Sequence, residues 1–178
     1  AKATYQLSKP TLLLLQRKEV RKARNRPRSK EATPQEAAPS VATGKKCKYK
    51  AQLKHVMRST IDLTSEVQWS NYTLLDPTTW GYALMQGATY TSRQFSITGQ
   101  VAWFDTDFEN RLFFYEKDVL YSRPMPTPYH KQGMKYGVYV CYKPVPSWRL
   151  ALKYACTWYM DETSIGSGHE TIDRKSVV

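Results

Sequence analysis

Four acidic residues in the middle of the chain have the spacing of a calcium-binding loop. Asp105, Asp107, Glu109 and Glu116 occupy positions 1, 3, 5 and 12 of such a loop, where carboxylate oxygens bind the ion. The glycine that the loop needs at position 6 is replaced by Asn110, and the apolar letters RLFFY that follow are typical of a strand. We therefore interpret these residues as a solvated rim, with calcium as the weaker alternative.

A second acidic cluster lies near the end of the sequence, in the polar letters DETSIGSGHETIDRK. Its members suit a divalent cation or a bridge to lipopolysaccharide, although a hydrated loop is the favoured interpretation: Asp161, Glu162, His169, Glu170 and Asp173. The letters GSG within it lack the spacing and the strand-to-helix context of a nucleophile elbow. The three cysteines have no metal-ligand spacing. We expect no enzyme activity and no cofactor.

Basic residues alternate with apolar ones in the stretch KCKYKAQLKHVMR, and further basic residues lie in the last long strand. The set predicted to face a barrel lumen is Lys46, Lys48, Lys50, Lys54, Arg149 and Lys153. In an open pore these residues would favour anions. In a narrow barrel, whose interior is filled by side chains, they would form a paired internal network with Asp62, Glu66 and Asp118.

The elements that must position these residues are predicted to be β-strands. Apolar and polar residues alternate with a period of two through most of the chain, which places each kind on one face of a strand. Several segments reach about ten residues, against about five to six in an ordinary strand. We expect a first strand within residues 1–20, a basic flexible loop or linker at 21–45, and a β-barrel region at 46–178.

One face of these strands is apolar and rich in large aromatic side chains, and the other is small or polar. The aromatic set is Trp69, Trp80, Tyr82, Tyr90, Trp103, Tyr136, Tyr142, Trp148, Tyr154 and Trp158. Small and polar residues fill a lumen easily, whereas aromatic residues near strand ends are typical of the girdles of transmembrane barrels. The pattern predicts an antiparallel up-and-down transmembrane β-barrel of about eight strands, with a soluble β-sheet protein as the alternative.

The C-terminal half also resembles a known group of proteins. Its letters FDTDFENRLFFYEKDVLY, YKPVPSW and IGSG match, in order, blocks that recur in a group of Gram-negative outer-membrane β-barrel proteins. Some members of that group carry an upstream helix-hairpin-helix module, which this sequence lacks. The resemblance covers about residues 60–173 and implies an outer-membrane location and a porin-like shell without catalysis. The sequence stops at Val178, where a final strand ending in an aromatic residue is expected, so we expect a fragment of a larger barrel.

Strand parity predicts which connections share an end of the barrel. Such barrels have short periplasmic turns and long external loops. Eight crossings are consistent with this rule if residues 105–132 form one external excursion, with the strand at 111–122 in a rim or lid hairpin rather than in the membrane.

The net charge of the chain suggests an alternative function, in a class of proteins other than membrane barrels. The chain has 178 residues, a net charge of +12 and no apolar run long enough for a transmembrane helix. Residues 17–30 are rich in Lys and Arg, which suits a soluble basic β-protein that binds nucleic acid. The aromatic residues do not interleave with this run, so a nucleic-acid partner is disfavoured. We expect the lipid bilayer, lipopolysaccharide and other outer-membrane or periplasmic proteins as partners of a porin-like channel or surface-complex scaffold.

Overall fold

The computed structural model describes residues 1–25, 41–74, 78–117, 119, 125–161, 164–165, 172–173 and 175–177. Within these ranges the chain is built from β-strands and one short 3-10 helix, Phe108–Asn110. The strands are β1 (Lys2–Ser8), β2 (Thr11–Asn25), β3 (Val41–Arg58), β4 (Ile61–Thr73), β5 (Thr79–Thr91), β6 (Phe95–Thr106), β7 (Leu112–Glu116), β8 (Met125–Tyr129), β9 (Lys131–Tyr142), β10 (Leu150–Tyr159), β11 (Ser164–Ile165), β12 (Ile172–Asp173) and β13 (Lys175–Val177).

Nine strands form one antiparallel sheet in the order β1-β2-β3-β4-β5-β6-β9-β10-β13. Each strand of this sheet pairs with the next strand in sequence except at two places, where β6 pairs with β9 and β10 pairs with β13. The predicted all-β, antiparallel up-and-down architecture is therefore confirmed. No helix in the described ranges is long and apolar enough to cross a membrane.

The chain between β6 and β9 leaves the main sheet. It contains the 3-10 helix and the separate hairpin β7–β8, and we call its described residues, 108–117, 119 and 125–129, the inner segment. As expected from its irregular alternation, β7 does not pair with the main sheet. The partner strand β8 was not predicted, because the prolines in MPTPY are typical of a loop.

The connections of the main sheet differ between its two ends. Short turns at 9–10, 59–60, 92–94 and 143–149 join strands at one end. The connections at the opposite end include the long ones, 26–40 and the stretch between β6 and β9, and also the five-residue connection 74–78, which is shorter than 143–149. This division follows from the antiparallel order and agrees with the predicted parity.

The N-terminal part contains more strand than the sequence predicted. A single strand was expected within residues 1–20, whereas β1 and β2 form a hairpin there. The strands also extend into the predicted linker, because β2 continues to Asn25 and β3 begins at Val41. Backbone pairing between these two strands continues to Asn25 and Val41, and it does not depend on an apolar side chain.

Closure into a barrel is not part of the described structure. The strand order begins at β1 and ends at β13, and these two strands have no pairing with each other within the described ranges. The sheet therefore has two edges, and its nine strands are close to the predicted number of about eight, with β1 as the addition.

The two faces of the sheet have opposite environments. The outer face carries the exposed large residues of β3 to β6, β9 and β10. The inner face carries the small and polar residues and is covered by the inner segment. The core lies between this face and the segment and contains Ala83, Met85, Ala102, Phe104, Leu112, Phe114 and Tyr129.

Candidate functional site on the two faces of the sheet

All ten predicted aromatic residues are exposed, and those on the strands of the sheet lie on its outer face. Their exposed fractions range from 38% at Tyr136 to 64% at Trp148. Neighbouring rings contact one another, with centroids 5.3 Å apart for Trp69–Trp80 and 5.9 Å apart for Tyr82–Trp103. Four of the ten aromatic side chains therefore pack in pairs on this face.

Most of the aromatic residues group toward the two ends of the sheet, whereas Tyr136 and Tyr154 lie in between, opposite Val101 and Val138. Trp69 lies opposite Tyr82 near the end with the long connections, and Tyr142 lies opposite Phe95 near the end with the short turns. Tyr82 and Tyr90 are eight residues apart on β5, a rise of about 27 Å in an extended strand. In a barrel strand tilted by about 40°, this rise would cover about 21 Å along the membrane normal, slightly less than the apolar band of about 25 Å in transmembrane barrels.

The band between the two aromatic groups contains aliphatic residues together with Tyr136 and Tyr154. Exposed Leu84, Val101, Val138 and Leu152 lie in it. Ser65 and Gln86 interrupt the band. The Ser65 hydroxyl donates to Gln86 Oε1 over 2.5 Å, so the two polar side chains form a hydrogen bond with each other.

The predicted lumen-facing lysines lie on the inner face, and most of them bind the inner segment. The ammonium group of Lys46 donates to the carbonyl oxygen of Glu109, and that of Lys48 donates to the carbonyl oxygen of Arg111 over 3.0 Å. Lys50 forms an ion pair of 2.7 Å with the buried carboxylate of Glu66. Of the three predicted acidic partners, Glu66 pairs with Lys50, Asp62 is exposed, and Asp118 lies outside the described residues.

The remaining members of that set have other environments. The Arg149 guanidinium donates to the hydroxyl of Tyr139 over 2.7 Å. Lys153 lies 3.5 Å from the carboxylate of Glu116. Lys54 has the same strand parity as the other lysines of β3 but is exposed, near the end with the short turns.

Glu116 is the centre of the principal charged cluster under the inner segment. Its carboxylate accepts from Lys135 Nζ at 2.8 Å and from the Tyr129 hydroxyl at 2.6 Å. Burial is the largest single influence on the pKa of this carboxyl, and it disfavours the ionised form. The hydrogen bonds and the positive charges of Lys135 and Lys153 outweigh burial and lower the pKa of Glu116 below its ordinary value.

Tyr129 joins this charged cluster to the apolar core. Its ring lies edge-on to Phe104 and Phe114, with centroid distances of 5.0 and 5.1 Å. Burial, with the neighbouring Glu116 carboxylate, raises the pKa of Tyr129 far above its ordinary value, so the phenol stays protonated and donates to Glu116. The residue therefore packs through its ring and binds through its hydroxyl.

A row of uncharged polar groups on β4 binds the backbone of the inner segment. Gln68 Nε2 donates to the Phe113 carbonyl oxygen over 2.8 Å, and Ser70 Oγ donates to the Asn110 carbonyl oxygen over 3.0 Å. Asn110 Nδ2 in turn donates to Thr79 Oγ1 over 2.7 Å. These bonds satisfy buried polar groups that would otherwise oppose packing of the segment on the sheet.

The four residues with calcium-loop spacing are not brought together. Asp105 lies with Tyr82 and Gln132, Glu116 lies with Lys135, and Asp107 is exposed. The part of the chain that the structure describes contains no group of three acidic, His or Cys residues suited to a metal. The calcium-like spacing arises because the end of β6, the 3-10 helix and β7 follow one another along the chain.

Some predicted residues lie outside the described part. In the C-terminal polar loop these are Glu162, His169, Glu170 and the GSG turn, and in the basic run they are residues 26–30. Within the described portion of that run, Arg21 donates to the carboxylate of Glu19, and Arg17 lies 3.7 Å from it.

Sequence reasoning missed the residues that connect the inner segment to the sheet. Tyr129, Lys135, Gln68 and Ser70 carry no motif. The one available signal was the alternation of Leu112, Phe114 and Glu116, which places all three on one face of β7.

Comparisons with family models, with curated proteins and with solved structures found no match.

Proposed function

We propose that this chain forms the sheet of an outer-membrane β-barrel, with its outer face toward lipid and its inner face toward a polar lumen. In this proposal the inner segment lies within the lumen. The protein acts as a scaffold of a surface complex or as a narrow porin-like channel, without catalysis. Because the inner segment covers much of the inner face, the scaffold role fits the geometry better than a wide pore.

The environment of the two faces carries the proposal. Soluble antiparallel sheets bury their apolar face and expose the polar one. Here Trp69, Trp103 and Val138 are exposed, whereas Glu66, Gln68 and Thr98 are buried. A transmembrane barrel has this arrangement, with apolar residues outward, polar residues inward and aromatic girdles at the two interfaces.

Closure of the sheet is part of the proposal. An open edge in a bilayer would leave backbone N–H and C=O groups without hydrogen-bond partners, at a cost of several kcal/mol for each group. The open edges at β1 and β13 are therefore the sites where the proposed barrel is completed.

The proposed orientation places the long connections outside the cell and the short turns in the periplasm. Under this orientation the bilayer and lipopolysaccharide are the direct partners, and other outer-membrane or periplasmic proteins contact the exposed ends. The support is the length of the connections 26–40 and 107–130 at one end of the sheet, against at most seven residues for any connection at the other end.

The testing experiment is fractionation of urea-washed membranes combined with heat-modifiable gel mobility. The full chain should remain in the membrane after the wash and dissolve in detergent. A closed barrel should also migrate faster before boiling than after it. A chain that enters the wash and shows no mobility shift would exclude the membrane proposal and make the outer face a protein-binding surface.

A further inference from the structure

The short turns at one end of the main sheet are joined into a continuous rim. We call the turns 9–10, 59–60, 92–94 and 143–149, with the flanking Arg58, the short-turn rim. Gln94 Nε2 donates to the Pro144 carbonyl oxygen over 3.3 Å, which joins two of these turns. Backbone hydrogen bonds of 2.7 to 2.8 Å also join each turn to the next hairpin: Val56 N–H to the Pro10 oxygen, Thr91 N–H to the Thr60 oxygen and Lys143 N–H to the Gln94 oxygen.

The short-turn rim carries positive charge only. Each turn has an exposed cation on it or next to it, and these are Lys9, Arg58, Arg93 and Lys143. No carboxylate in the described part of the chain forms an ion pair with any of the four. The closest acidic residue along the chain is Asp62, the second residue of β4. The described residues at the opposite end of the sheet carry both signs, among them Asp105, Asp107 and Lys45.

Aromatic side chains lie beside these cations. Tyr90 comes three residues before Arg93, Tyr142 directly precedes Lys143, and Trp148 lies in the same turn as Lys143. The three rings are exposed, with exposed fractions of 45%, 42% and 64%. In membrane proteins Tyr and Trp prefer the level of the lipid headgroups, because the ring is apolar and one end of it is polar. Cations next to such rings are at the level of the lipid phosphates.

We propose that the short-turn rim binds the phosphate groups of anionic phospholipids. The inference rests on the proposed function, which places this end of the sheet at a membrane surface, and it adds a preference for one headgroup charge. A guanidinium binds a phosphate through two parallel hydrogen bonds, and an ammonium binds it as a point charge. Each Lys or Arg near an anionic lipid surface contributes about 1 kcal/mol, which is roughly fivefold in affinity.

The experiment uses the full chain folded in micelles of a zwitterionic detergent. Phosphatidylglycerol, which has a net negative charge, and phosphatidylcholine, which has none, are added with identical acyl chains. Native mass spectrometry counts the lipids that remain bound. The chain should retain phosphatidylglycerol preferentially, and the preference should shrink as the salt concentration of the binding buffer rises, because salt screens exposed charges. Equal retention of the two lipids would overturn the proposal.

Two double variants test the location. Arg93→Gln combined with Lys143→Gln removes two charges from the rim and should weaken phosphatidylglycerol binding by about tenfold or more. Lys18→Gln combined with Lys22→Gln is the matched control, because it removes two exposed charges from β2, away from the rim. Equal weakening by the two double variants would overturn the assigned location, since net charge alone would then account for binding.

Heat-modifiable gel mobility of the same samples separates this inference from the proposed function. Both double variants should keep the mobility shift, because the substituted side chains are exposed. A chain that shows the shift without a preference for phosphatidylglycerol would overturn the inference alone, whereas a chain with neither would overturn both. Binding of single-stranded DNA that is lost in the rim variant, without a lipid preference, would assign the rim to a nucleic acid and overturn the lipid partner.

Discussion

The Lys135 ammonium on β9 lies 2.8 Å from the Glu116 carboxylate on β7, and this ion pair fixes the inner segment to the main sheet. Both side chains are largely buried, with 14% and 7% of their surfaces exposed. Lys153 on β10 lies 3.5 Å from the same carboxylate. One acidic residue thus compensates two cations on neighbouring strands of the inner face.

The first prediction concerns this carboxylate. Glu116→Gln leaves Lys135 and Lys153 buried without a counter-charge and should lower the free energy of unfolding by about 3 kcal/mol. Urea titration followed by tryptophan fluorescence measures the change. The control Glu19→Gln alters an exposed ion pair on β2 and should leave the transition nearly unchanged. Equal effects of the two substitutions would contradict a structural role of the cluster.

The second prediction concerns the pH dependence of stability. The folded-state pKa of Glu116 is lowered, so folding favours its ionised form. Its contribution is fully present above the unfolded pKa of about 4.3 and is lost as pH falls through the lower folded value. The difference in unfolding free energy between the parent and Glu116→Gln should therefore shrink below about pH 4. A difference that stays constant down to pH 2.5 would exclude this linkage.

The third prediction separates lipid from water at the outer face. Val138 is exposed in the middle of β9, and Val145 is equally apolar and exposed in the turn between β9 and β10. In lipid, Val138→Arg should destabilise the folded form by about 2–4 kcal/mol, whereas Val145→Arg should cost about 0–1 kcal/mol. Folding into lipid vesicles, read by gel mobility, measures both. Equal folding of the two variants would indicate that the outer face contacts water.

The fourth prediction concerns two glycines on neighbouring strands. A Cβ at Gly133 would lie 2.5 Å from the Trp158 carbonyl oxygen and 2.9 Å from Phe104 Cζ, whereas a Cβ at Gly99 would have no heavy atom within 4 Å. Gly133→Ala should destabilise the protein by about 1–3 kcal/mol because the core is already filled. Gly99→Ala should be tolerated. Thermal unfolding compares the two, and equal midpoints would mean that Phe104 does not pack against Gly133.

The strand pattern was predictable because side chains alternate strictly along an extended chain. The separation of Trp69, Tyr82 and Val138 from Glu66 and Lys135 follows from this period of two. The hairpin β1–β2 was missed although KATYQLS alternates polar and apolar residues throughout, because this segment is only seven residues long and the prediction relied on longer strands. Strand ends at Asn25 and Val41 were missed because backbone pairing extended beyond the apolar pattern.

The inner cluster was not predictable from spacing. Glu116 belonged to a calcium-like series in the sequence, yet its partners Tyr129, Lys135 and Lys153 are 13 to 37 residues further along the chain. A carboxylate binds whichever cation the fold brings near it, and no local rule selects Lys135 over the other lysines.

The sequence by itself determined the all-β class, the antiparallel order of the long strands and the residue type on each face, because these depend on local alternation and short turns. Only the tertiary structure decided that β7–β8 covers the inner face, that Glu116 compensates two lysines and that Lys18 lies opposite Lys48. These relationships depend on strand register and on packing between distant segments. Both arise from the cooperative burial of many groups and not from any single stretch of sequence.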